Sequence, residues 1–250
     1  MFQKNIFYFL LSFSLSMVAC VPLKYLVLDN LVDQDLATNL LFLGFGIFFV
    51  LFERLFNFRK RAKFRYNIYP INLNFLLFTI LIVWIMETLF IMPINRFFFP
   101  ISGFGLKPYF ILSSIIIAPF FEELMFRSIL LQSLLTKYSQ RKSILISACL
   151  FGLIHVQPVQ IIFATITGII FGIVYAKSKN VTYTIILHSF TNAIVILIKF
   201  LNYKFSGLIL NSTIIGINII ISSLLLYYMN KKYGFSIIKL IQEVNKGAKK

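Results

Sequence analysis

Six side chains able to do chemistry stand inside stretches of this sequence that are otherwise apolar: Glu122, Glu123 and Arg127, then His155, then His188 and Asn192. Polar groups of this kind are expensive in hydrocarbon, by a few kcal/mol for each charge on membrane-insertion scales, so they mark function or buried pairing. On a helix, at about 100° per residue, Glu123 and Arg127 share a face and suit an ion pair that neutralises both. Glu122 points about 100° away from Glu123 and has no cation within one turn on its own face. His188 and Asn192 share a face in the same way, as do Phe151 and His155. Pro119, just ahead of the glutamates, removes a backbone hydrogen bond, which predicts a kink with room for water beside them.

A carboxylate, two imidazoles and a carboxamide suit hydrolysis. Glu122 is the candidate to hold and deprotonate a water that His155 orients, with His188 and Asn192 donating hydrogen bonds to the oxyanion of a tetrahedral intermediate. Glu122, His155 and His188 equally form a three-ligand set for zinc, with a fourth position open to water. The sequence leaves both chemistries open, a divalent metal or none. HExxH, GxSxG and Walker motifs are absent. Taken singly, each feature has a bland reading: a membrane histidine more often bonds between helices, and a Glu-Glu pair with Arg four residues on can be a folding device. Their concentration around the only Glu-Glu pair, with both histidines of the chain, favours chemistry. Glu87 has no companion motif and reads as a snorkelling group or a counterion to Arg127. Gly168 and Gly172 form a small-xxx-small pair suited to close helix packing.

The elements that carry these residues are set by composition. Of 250 residues 59% are hydrophobic and 13% charged, with mean hydropathy +0.88; soluble domains have roughly half and a quarter. A soluble core of this size cannot hide that much apolar surface, so the expected class is an all-α polytopic membrane protein. On a ruler of about 20 apolar residues per crossing, about eight transmembrane helices are expected, near Ile6–Leu28, Leu36–Phe52, Leu73–Ile94, Tyr109–Leu135, Ser143–Val156, Val159–Ala176, Val181–Phe200 and Gly207–Met229. Gln157-Pro158 separates the fifth from the sixth, as in a tight helical hairpin.

The net charge of +16 would suggest nucleic acid in a soluble chain; here it reports orientation. With both termini cytoplasmic, eighteen of the 24 Lys and Arg fall on the inside, among them the run Arg54–Arg65, Lys137, Lys177 and the C-terminal lysines. Five fall outside, with the acidic cluster Asp29, Asp33 and Asp35, and Arg127 is left within a span. Cys20 and Cys149 lie far apart in apolar runs and indicate no disulfide or zinc spacing. The apolar run around Cys20 continues to Leu28, long enough to span rather than to serve as a cleaved signal. The expected partners are the lipid bilayer and a hydrophobic peptide or membrane-protein substrate, with no nucleic acid.

The stretches Ala118–Arg127, Phe151–His155 and His188–Asn192 resemble, in order and spacing, the EExxxR, FxxxH and HxxxN motifs of the CAAX prenyl endopeptidase and bacteriocin-processing family, also called CPBP or Abi. Gly168–Tyr175 also fits that family's pattern. The resemblance implies an eight-helix intramembrane peptidase in the bacterial cell membrane. Glu122 would activate the water, Glu123 and Arg127 would support it, His155 would work with Glu122, and His188 and Asn192 would stabilise the oxyanion. The family is commonly called metalloprotease, and a metal-free glutamate mechanism has also been argued for it. Ser128 departs from the Gly of many relatives and touches packing more than chemistry. The chain then divides into residues 1–108, the first three spans with a basic loop at 53–74; residues 109–201, the catalytic core; and residues 202–250, the last span with a basic cytoplasmic tail. Some relatives cut prenylated proteins and many small bacterial ones are linked to peptide maturation or bacteriocin immunity; the Ile, Phe, Lys and Asn bias points to a bacterium and to the latter. A non-catalytic immunity or regulatory protein that binds a membrane partner is the alternative, and a transporter is disfavoured because no inverted repeat is visible.

Overall fold

The polar motifs ride on helices, with His155 in the turn that ends one of them. The computed structural model describes residues 2–19, 40, 43–51, 71–94, 108–155, 158–204 and 212–246. Its described helices are α1 (Phe2–Ala19), α2 (residues 43–51), α3 (Leu73–Ile94), α4 (residues 108–135), α5 (Gln140–Leu153), α6 (Pro158–Ser178), α7 (Val181–Lys204), α8 (Ser212–Tyr233) and α9 (Ile237–Lys246). Four helical stretches are long and apolar enough to cross a membrane: Leu73–Ile94, Pro158–Ser178, Val181–Leu201 and Ile214–Tyr233. They match the expected third, sixth and seventh spans to within two residues, and overlap the expected eighth from Ile214 on. This is a membrane protein, and exposed Ile217, Ile220, Ile221 and Leu224 on α8 form the kind of surface that only lipid or another apolar partner tolerates. The first two expected spans run into residues outside the described ones, as do Cys20 and most of the 53–74 loop. At 14 residues α5 is about 21 Å long and does not cross alone. The basic tail is more structured than the sequence reading allows, since α9 forms within it.

The chain packs as two compact units. The first comprises Met1–Asn67 and Leu106–Tyr138. Here α4 alternates α-helical stretches with π-helical turns at Ser113–Ile117 and Leu124–Leu131. The first π-turn ends two residues before Pro119, whose missing N–H breaks the regular ladder. Edge-on aromatic contacts fasten α1 to α2 and α4, with Phe9 5.4 Å from Phe49 and 6.1 Å from Phe126 between ring centroids. Phe121 lies against Gly46 of α2, where any larger side chain would collide with the ring.

The second unit comprises Ile68–Gly105 and Ser139–Lys250. Helix α3 starts with Asn72 capping Phe75 N–H at 3.0 Å. Tyr183, near the start of α7, bonds to the Asn72 backbone, and Met92 near the end of α3 packs with Ile194 and Ile198 further along α7. Helices α3 and α7 are therefore parallel. Along α8 the order reverses: Asn218 accepts from Trp84 Nε1 at 3.0 Å and donates to Thr88 Oγ1 at 2.8 Å, whereas Phe235, just past α8, stacks on Phe78. Lys177 at the end of α6 lies over the Phe75 ring at the start of α3, so α6 is antiparallel to α3 as well. These directions are those expected of the third, sixth, seventh and eighth crossings.

Helices α5 and α6 form the anticipated hairpin. A Cβ built on Gly168 would lie 3.2 Å from the Ala148 Cα, and one on Gly172 3.0 Å from Ile144 Cγ2, so both glycines permit the close approach the sequence suggested. Gly152 is tighter, with a built Cβ 2.7 Å from the Ile161 carbonyl oxygen. Between α6 and α7 the chain reverses through Lys179, at φ 53°, and buried Asn180, whose side chain caps Thr182 N–H at 2.9 Å.

Candidate active site

The first unit holds the acidic motif. Arg127 Nε lies 3.2 Å from Glu123 Oε2, with both side chains at most 1% exposed. This is the i,i+4 pair the spacing predicts, and burial leaves it no alternative partner in water. A buried guanidinium or carboxylate alone would be untenable, so each makes the other possible. The π-turn over Leu124–Leu131 refines the sequence expectation for Glu122. Hydrogen bonds from i to i+5 bring residues five apart toward one face. Glu122 is half-buried where Glu123 is sealed. Of two adjacent carboxyl groups, the less enclosed one is the candidate for contact with water or substrate.

The second unit holds the histidines. His155 sits in the turn that ends α5, where its N–H bonds the Gly152 carbonyl at 3.0 Å. Its Nδ1 is 2.9 Å from the Phe151 carbonyl. A carbonyl only accepts, so Nδ1 donates, which in the neutral ring leaves the Nε2 lone pair available to a water, a proton or a metal. The Phe151 ring stands edge-on to both imidazoles, with centroids 5.1 Å from His155 and 5.7 Å from His188. On its other side His188 meets Phe171 of α6 at 5.5 Å. His188 is buried, held between aromatic rings from α5 and α6; Asn192, one turn on, is half-buried. Phe151 and Phe171 thus act as spacers that the motif residues alone do not reveal. The signal for Phe151 was its i,i+4 relation to His155; Phe171 carries none in the sequence.

Glu122, Glu123 and Arg127 belong to one unit; His155, His188 and Asn192 belong to the other. Glu87, expected to snorkel or pair, is 2% exposed on a π-helical turn of α3, and its Oε2 has no hydrogen bond among the described residues. Snorkelling is thereby corrected, because the side chain is enclosed rather than extended to a boundary. Among the described residues no group of three His, Cys, Asp and Glu side chains gathers as a metal cage.

A family description, type II CAAX prenyl endopeptidase Rce1-like, matches residues 104–194. A Bacillus subtilis (strain 168) protein named "Putative membrane peptidase YdiL" is 30% identical over 92 residues, 37% of this chain and 38% of that relative. Over this segment the chain resembles the CAAX prenyl endopeptidase family. All three motifs, Glu122 through Asn192, fall inside the family segment, whereas α1, α2, α3 and α8 fall outside it. The chain thus spans well under half the length of the relative it matches. No solved structure matches.

Proposed function

We propose that this chain is a bacterial intramembrane endopeptidase that hydrolyses a peptide bond in a hydrophobic peptide or membrane-associated protein, in peptide maturation or self-protection against a bacteriocin. The observation that carries this reading is the division of labour on α4: Glu123 is sealed in an ion pair with Arg127, while its neighbour Glu122 keeps partial exposure. In the proposed reaction Glu122 takes a proton from water, and the water oxygen adds to the scissile carbonyl carbon. His155, with Nδ1–H committed to the Phe151 carbonyl, accepts the second water hydrogen at Nε2. His188 and Asn192 donate to the oxyanion. Collapse of the tetrahedral intermediate breaks the C–N bond, and the proton held by Glu122 passes to the leaving amine. The Glu123–Arg127 pair acts through Glu122, fixing the helical turn on which that carboxylate stands.

The test is to express wild type, His155→Ala and Asn192→Ala in cells lacking the chromosomal copy and to compare membrane and secreted peptides by mass spectrometry. Peptides dependent on the wild type should be lost in both variants at equal membrane levels. Unchanged peptides in both variants would refute hydrolysis and favour a non-catalytic binding role.

A further inference from the structure

The tail helix α9 is amphipathic in an unusual sense. At 100° per residue Ile237, Ile238 and Ile241 occupy one arc, and Lys239 and Gln242 the opposite one. A helix packed on a protein core normally turns its apolar arc inward. Here the apolar arc is left uncovered: Ile237, Ile238 and Ile241 are exposed, at 40%, 67% and 49%, and Lys239 of the polar arc, also exposed, lines a cleft in the second unit. The cleft, of about 40 Å³, is lined by Phe75, Phe78, Lys177, Phe235, Ser236 and Lys239, with Gly234 completing it. It admits no more than a few water-sized groups, so only the tip of a ligand enters.

Its position identifies the surroundings. Phe75 and Phe78 open one apolar crossing, Lys177 closes a second, and Gly234–Lys239 follow directly on a third, so the cleft lies where three crossings end. Tyr227, Tyr228 and Tyr233 at the end of α8 mark the same level, and Lys232 bonds Tyr228 Oη at 2.7 Å, the pattern of an interfacial aromatic belt. Lys177, Lys179, Lys231, Lys232 and Lys239 give this end a strong positive charge, against which Glu243 is the nearby acid in the sequence. Lys239 Nζ donates to the Gly234 carbonyl at 3.3 Å, and an ammonium carries three donors in all.

We infer that α9 lies in the membrane interface, its isoleucines in the acyl region, and that the Lys177–Lys239 cleft takes the phosphate of an anionic phospholipid. The apolar arc calls for a lipid or protein cover, and the two lysines that line the cleft select an anionic lipid over a zwitterionic one or a second copy of the chain.

The experiment uses the full chain purified in detergent with an equimolar mixture of phosphatidylglycerol and phosphatidylcholine, followed by native mass spectrometry. Wild type should retain phosphatidylglycerol preferentially, and Lys177→Gln/Lys239→Gln should reduce that preference about tenfold or more. Lys231→Gln/Lys232→Gln, at the same end but off the cleft, should change it less than twofold. Hydrogen exchange of wild-type α9 should slow in phosphatidylglycerol nanodiscs relative to phosphatidylcholine ones. Equal loss in both double variants, exchange indifferent to the headgroup, or protection that tracks a dimer mass would each overturn the inference.

Discussion

Arg127 is the residue on which the acidic motif depends, because it is a fully buried cation whose ion-pair partner is itself fully buried. Removing one member strands the other, at a cost of roughly 3–5 kcal/mol for buried pairs, while replacing both with apolar side chains is often neutral. Arg127→Leu should therefore deplete folded protein and lower its melting temperature in detergent, and Glu123→Leu/Arg127→Leu should recover most of that loss without recovering activity. A double variant as unstable as the single one would show that the pair is not the source of stability. Glu122→Gln is the opposite case. Half-buried and next to the pair, it should leave the melting temperature within about 2 °C and reduce hydrolysis by about 100-fold or more, the scale of a lost general base. At this scale the sequence was informative: the i,i+4 spacing gave the Glu123–Arg127 pair and the FxxxH relation, because helical periodicity survives in one dimension. The aromatic packing of His188 between Phe151 and Phe171 was not legible, since it joins three helices whose contact no local spacing encodes.

Among elements, the long crossings were legible because about 20 uninterrupted apolar residues leave a chain few alternatives in a bilayer. The π-turns of α3 and α4 were not, apart from the hint of Pro119, since widening a helical turn needs no distinctive residue. Helix α9 is not legible in the sequence because ten residues of mixed charged, polar and apolar character read as a solvated tail until a neighbour supports them. The α5–α6 hairpin was anticipated from Gln157-Pro158, and it is the element that delivers His155. Gly152→Ala sets a methyl 2.7 Å from the Ile161 carbonyl and against Thr165 Oγ1. Overpacking of this kind costs about 1–3 kcal/mol, and the shift at the end of α5 moves the His155 turn with it. Gly152→Ala should thus lower both thermal stability and hydrolysis, whereas Gly216→Ala, where nothing lies within 4 Å, should do neither. Identical behaviour of the two variants would contradict the close-packed hairpin.

For the molecule as a whole, the fall of basic residues on alternate loops is the orientation argument, and the second unit bears the same asymmetry. Lys177, Lys179, Lys232 and Lys239 cluster where α6 ends and α8 gives way to α9, while α7 runs from that end toward Lys199 and Lys204 at the other. The expected orientation puts the former end in the cytoplasm. Single cysteines replacing Lys231 or Lys179 should react with a membrane-impermeant maleimide only after the cell is opened, and one replacing Lys204 in intact cells. The reverse pattern would invert the topology while leaving the chemistry untouched.

The most direct measurement of the central claim is made on purified protein. Wild type and Glu122→Gln, reconstituted at equal amounts in nanodiscs, are incubated with membrane peptides extracted from cells lacking the protein, and new peptide termini are followed over time by mass spectrometry. The expected result is a set of termini that grows with wild type and is absent, or slower by about 100-fold or more, with Glu122→Gln. Equal accumulation with both proteins, or no new terminus with wild type, would contradict a peptidase centred on Glu122.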